Sequence, residues 1–128
     1  MDTENISIKN STKGKLPSLP FASMKDAILG KKYELSVFCA GEKMARKINR
    51  ETRGKDYATN ILSFPLSKNT GEIIFQLDKV KKDAKDFDMA YEQFLKFLFI
   101  HGLLHLKGLD HGKKMEGEEK KFLKRFSQ

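Results

Sequence analysis

A single cysteine, Cys39, occurs in the 128 residues, so no internal disulfide can form and a reducing compartment is the simpler setting. Its place at the end of an apolar run marks it as a small buried hydrophobe rather than a nucleophile. No apolar run is long enough to cross a bilayer. The longest, Phe94 to Leu106, is interrupted by Lys96 and His101 and falls short of a membrane span. The opening Met-Asp-Thr-Glu-Asn is acidic and polar, which is wrong for a secretory signal. Together these gaps lead us to expect a cytoplasmic protein with no membrane partner. Internal repeats and low-complexity tracts are missing too, so one domain over 1–128 is expected, large enough for a core without covalent staples. Oligomeric state is left unassigned.

Acidic residues are comparatively few. Asp and Glu number 17 against 25 Lys and Arg, a net charge of +8. That balance favours a polyanionic partner such as nucleic acid. With 39% hydrophobic and 33% charged residues, the composition is that of a globular chain rather than a disordered one.

The pattern along the chain mixes strands with helices. Residues 4–9 alternate as a short edge strand, 11–18 form a loop, and 19–29 have helical spacing stopped by Gly30. Tyr33 to Cys39 alternates, with Tyr33, Leu35, Val37 and Cys39 on one face. Residues 41–52 read as a basic helix with Met44 and Ile48 inward and Lys43, Arg46, Lys47 and Arg50 outward, broken by Arg53-Gly54-Lys55-Asp56. Strands 60–65 and 72–75 are joined through Asn69-Thr70-Gly71 as a hairpin. A long helix over 88–106 is apolar nearly all round in its second half, so it should be central and buried. A last amphipathic helix over 115–126 uses Met115, Phe122, Leu123 and Phe126. Four strands with four helices imply an α/β or α+β layer structure.

Histidine is scarcer still, and its placement is the most informative feature of the chain. All three histidines fall in one stretch, His101-Gly-Leu-Leu-His105-Leu-Lys-Gly108-Leu-Asp110-His111. Residues four apart share a helix face. Gly108, just past the helix end, can adopt a left-handed conformation without steric cost, which lets His111 approach from another side. For one histidine on an apolar face, a satisfied core residue is the ordinary explanation. The full spacing His-x-x-x-His-x-x-Gly-x-x-His reverses that balance, because it matches the zinc-ligand skeleton of metzincin peptidases. Three imidazoles with a free coordination position suit hydrolytic metal chemistry, with zinc favoured over nickel and copper.

One position departs from those peptidases: their general-base glutamate is replaced here by Gly102. Asp110 is the nearest carboxylate. It could orient His111, act on a water at the metal, or be a plain turn residue.

A second segment, Asn49-Arg-Glu-Thr-Arg53-Gly-Lys-Asp-Tyr-Ala-Thr-Asn60-Ile-Leu-Ser-Phe-Pro65, would by itself read as a solvated helix face and a loop. Paired with the histidine motif, it resembles the YbeY family of bacterial metal-dependent endoribonucleases, also called rRNA maturation factors. The likeness runs from about Tyr33 into the last helix, where Met115 and Glu119 fit. Departures are Leu109 for tyrosine, Ala58 for proline, Glu72 in Gly71-Glu72-Ile73 for aspartate, and a short link after His111. The resemblance implies a mixed four-stranded sheet flanked by helices, with a central buried helix carrying the ligands. It implies one Zn2+ per chain on His101, His105 and His111. It further implies cleavage of single-stranded RNA, maturation of the 3′ end of 16S ribosomal RNA, and quality control on ribosomal particles. Arg53 matches the family's functional arginine, and a guanidinium can grip a phosphate through two parallel hydrogen bonds.

Three functions therefore stand side by side. One is a zinc endoribonuclease with Arg53 clamping the phosphate, Asp110 as a candidate catalytic carboxylate, and either water or the RNA 2′-hydroxyl attacking. Another is a metallopeptidase, favoured by ligand spacing and disfavoured by Gly102 and the charge. The third is a non-enzymatic ribosome assembly factor in which the metal serves the fold.

Overall fold

A computed structural model describes residues 2–3, 5–54 and 59–127. The sheet has the order β1-β2-β3-β5-β4. Its four principal strands are β2 (Ile6–Asn10), β3 (Glu34–Cys39), β4 (Ile61–Ser67) and β5 (Thr70–Phe75). A two-residue strand, β1 (Asp2–Thr3), pairs with the start of β2. β2, β3 and β5 run parallel, and β4 returns antiparallel to β5 through the expected hairpin. The mixed sheet implied by the sequence is therefore present. Glu4, where the expected strand 4–9 begins, lies outside the described residues, as do Lys55, Asp56, Tyr57 and Ala58 of the second motif.

Among the described residues, five helices accompany the sheet: α1 (Phe21–Leu29), α2 (Glu42–Arg53), α3 (Leu77–Asp86), α4 (Tyr91–Lys107) and α5 (Lys113–Arg125). Sequence patterning misses α3. Its inward face is only Leu77, Val80 and Ala84, too sparse among lysines to stand out as a period. The Gln76 side chain nonetheless caps it, accepting from the Lys79 N–H at 2.8 Å, which satisfies one otherwise orphaned donor.

Alternation along the strands divides the core in two. Leu35, Val37, Cys39, Ile73 and Phe75 face the larger cluster, where α1, α3, α4 and α5 supply Met24, Val80, Phe99, Leu103, Met115 and Phe122. Phe38, Leu62 and Ile74 face the opposite side and meet Ile48 of α2. Cys39 is wholly buried, and burial pushes its thiol pKa up to about 11, so it is a core residue as expected.

The inward face of α2 differs from the sequence expectation. Met44 is 47% exposed, whereas Ala45 and Asn49 are buried. The helix is rotated so that Ala45 and Asn49 turn to the sheet in place of Met44, while Ile48 packs inward as expected.

α4 is the spine of the larger layer. Leu95, Phe99, Ile100, Leu103 and Leu104 have no exposure at all, as its all-round apolar sequence required. Gly102 explains how the helix can lie so near β4. A Cβ there would stand 2.9 Å from Ser63 Oγ and 3.0 Å from Ile61 Cδ1. Only glycine permits this approach without displacement.

Candidate metal centre

α4 carries His101 and His105 on one face in its last two turns. It ends at Gly108, whose φ of 107° and ψ of 7° put it in the left-handed region. The backbone N–H groups of Gly108 and Leu109 return to the carbonyls of His105 and Leu104 at 2.9 and 3.0 Å, closing the helix with a reversed turn. That reversal carries His111 back over the two helical histidines. The ring centroids form a nearly equilateral triangle, 4.6 Å for His101–His105, 5.0 Å for His101–His111 and 5.1 Å for His105–His111.

The donor set fits a small divalent cation. One ring nitrogen from each histidine lies within 4.8 Å of the others. The closest pair, Nε2 of His101 and of His105, is 3.1 Å apart. Two nitrogens bound at about 2.05 Å to a tetrahedral ion would stand about 3.3 Å apart. His101 and His105 are partly buried and His111 is exposed, so the open side of the trio faces solvent.

Two further interactions bear on the ligands. Glu119, from α5, meets Nδ1 of His101 at 2.5 Å. With the carboxylate as acceptor, the His101 proton sits on Nδ1 and the Nε2 lone pair points at the other rings. His105 has its pKa lowered from 6.5, first by burial and then by the positive charge of His101 and His111, against an opposing hydrogen bond with the backbone of Leu109. The lowered pKa of His105 favours the neutral imidazole that a metal requires.

A cleft of about 450 Å3 opens in front of the trio. Its walls are the three histidines, Ile61, Ser63 and Pro65 of β4, and Arg53. Arg53 is the last residue of α2, and Gly54 after it is left-handed at φ 68°, with its N–H returning to Arg50 and Asn49. The segment thus stops where the arginine can face the histidines from the other layer. Alternation along β4 turns residues 61, 63 and 65 to the same side.

Of the residues singled out from sequence, the structure brings His101, His105, His111 and Arg53 to one cleft. Asp110 is exposed, is not among the described residues that line the cleft, and lies near enough to His105 to bear on it as a charge. Sequence reasoning missed Glu119 as a site residue, although a signal existed. Met115, Glu119 and Phe122 are the buried residues of α5, an i, i+4, i+7 stripe in which an acid calls for a specific partner. Ser63 was likewise not singled out. Its inward place follows only once the register of β4 is known.

The family profile described as Endoribonuclease YbeY matches residues 2–127. Among curated proteins named Endoribonuclease YbeY, that of Neorickettsia sennetsu is 32% identical over 88% of this chain and 86% of its own length. The protein of Bacillus velezensis is 34% identical, over 79% and 73%. That of Alkaliphilus metalliredigens is 36% identical over 68% of this chain, a match spanning only 63% of the relative. Among solved structures, the solution structure of TM1509 from Thermotoga maritima superposes with a TM-score of 0.66 at 28% identity, covering 94% of this chain and 88% of that one.

Proposed function

The chain belongs to the Endoribonuclease YbeY family, and on that premise we propose that it is a single-strand-specific, zinc-dependent endoribonuclease. The proposed biological task is maturation of the 3′ end of 16S ribosomal RNA and quality control of ribosomal particles in the cytoplasm. The whole chain, 1–128, acts as one domain. The observation that carries the reading is the meeting of Arg53 with three converging histidines in one open cleft.

His101, His105 and His111 would hold one Zn2+. Such an ion would supply Lewis-acid stabilisation at the scissile phosphate, whether water or the RNA 2′-hydroxyl attacks. The remaining work falls to the protein's own groups. Arg53 offers parallel N–H donors to a phosphate and stabilises charge that develops on it, a task for which lysine's point charge is a poor substitute. Ser63 presents a hydroxyl from the β4 wall for a further hydrogen bond. The basic face of α2 steers the RNA backbone toward the cleft; Lys43 and Lys47 are exposed there and attract phosphates. We assign Asp110 a lesser part, an anionic charge beside the ligands that favours cation binding.

The metallopeptidase alternative lacks support from the local packing. Position 102, where those enzymes carry their general base, is walled by Ser63, Ile61 and Ile73. A side chain there would have to push aside the ends of all three.

The test is a ribonuclease assay of wild type against Arg53→Ala, both with zinc content measured and both free of contaminating nucleases. Arg53 is an exposed residue at a helix end, so the variant should fold and keep zinc while cleavage falls about 100- to 1,000-fold. Undiminished cleavage by zinc-loaded Arg53→Ala would remove the arginine from the mechanism. Cleavage by metal-free wild type would end the proposal.

A further inference from the structure

The carboxylate of Glu119 holds a place for which the ligand triad alone gives no account. It arises from α5, not from the helix or turn that carries the histidines, and the residue is only 9% exposed. Among the described residues no lysine or arginine pairs with it; its partner is Nδ1 of His101 at 2.5 Å. That contact fixes the carboxylate against the ring edge opposite Nε2, the nitrogen that lies 3.1 Å from Nε2 of His105.

We propose that Glu119 is a positioning residue for the metal and that, through it, metal binding and the docking of α5 on α4 strengthen each other. The inference rests on the metal-site reading above. Accepting from Nδ1–H fixes both the ring angle and the tautomer, leaving Nε2 free to ligate. A cation on Nε2 withdraws charge from the ring, makes Nδ1–H a stronger donor, and tightens the contact with α5. Linkage requires the reverse as well: whatever seats α5 raises metal affinity by the same factor. The rest of the α5 interface is suited to such coupling. Met115 and Phe122 are buried against the core, and Lys96 of α4 donates to the Phe126 carbonyl at 3.0 Å at the far end. Glu119 lies between those anchors.

The experiment measures Zn2+ affinity by chelator competition for wild type, Glu119→Gln, Glu119→Ala and His111→Ala, together with hydrogen exchange of 113–125 with and without zinc. Glutamine keeps an acceptor and the volume but loses the charge, so it carries the test should the alanine variant fail to fold. The expected order is wild type, then Gln, then Ala, with a loss of about 10- to 100-fold. Zinc should slow exchange in α5 of wild type and do so much less in Glu119→Gln. Wild-type affinity in Glu119→Gln, with the zinc-dependent protection of α5 intact, would overturn the inference while leaving the metal site standing. Equal affinities for wild type and His111→Ala would instead bring down the metal-site reading, and this inference with it.

Discussion

Replacing Gly102 by alanine sets two opposing effects against each other, and the structure decides which wins. In the interior of an exposed helix, Gly→Ala stabilises by about 1 kcal/mol through backbone entropy. Here the new methyl would stand 2.9 Å from Ser63 Oγ, 3.0 Å from Ile61 Cδ1 and 3.2 Å from Ile73 Cδ1. Ser63 can rotate aside and Ile61 can shift its terminal methyl, but Ile73, wholly buried in β5, must also give by a few tenths of an ångström. Overpacking of this kind costs about 1–3 kcal/mol. The balance is a net destabilisation of up to about 2 kcal/mol, read as a fall in Tm of up to roughly 8 °C in thermal melts followed by circular dichroism. A melting temperature raised by the full propensity gain would refute the close approach of helix and strand. Gly102→Glu carries the argument further. It restores the peptidase general base in sequence, yet buries a carboxylate among Ile61, Ser63 and Ile73. We expect a variant that fails to fold stably and has no peptidase activity. A folded, zinc-loaded Gly102→Glu that hydrolyses peptides would revive the peptidase reading.

Binding of single-stranded RNA should weaken linearly in log K against log salt, and replacing exposed Lys43 or Lys47 should make the slope shallower by roughly 0.7 per lost phosphate contact; a salt-independent constant would remove α2 from the interface. For His105, the folded pKa lies below its ordinary 6.5, so the unfolded chain binds more protons between the two values and stability rises with pH across that window. The urea midpoint of metal-free protein should therefore fall as pH drops below 6.5, and fall less in His105→Ala; equal pH dependence in both would contradict the assignment. Cys39 is fully buried with its thiol pKa raised to about 11, so iodoacetamide should label it only on unfolding. Rapid labelling of native protein would place it at the surface.

The ligand motif was legible because it is local. An i, i+4 pair, a helix-ending glycine and a third histidine three residues later specify their own geometry through helix pitch and one left-handed turn. The same holds for the burial of α4 and the alternation of β3, where period and composition agree. Local chemistry failed where packing decides among similar options. Met44 and Ala45 are both plausible inward residues of α2, and only the packed helix shows that Ala45 is the buried one. α3 has three apolar positions among lysines, too little period to detect until α4 is there to receive it. Contacts between segments distant in sequence lay beyond any local rule. Arg53 and the histidines share one cleft because α2 and α4 cover opposite faces of a sheet whose edge strand is β4. Glu119 finds His101 across eighteen residues because α5 folds back along α4. The chain by itself thus determined which atoms can bind a metal and in what spacing, while tertiary packing determined what surrounds them. The reason is one of range: hydrogen-bonded helix and turn geometry is set within a few residues, whereas the partner of a buried charge is set by whichever surfaces exclude water together.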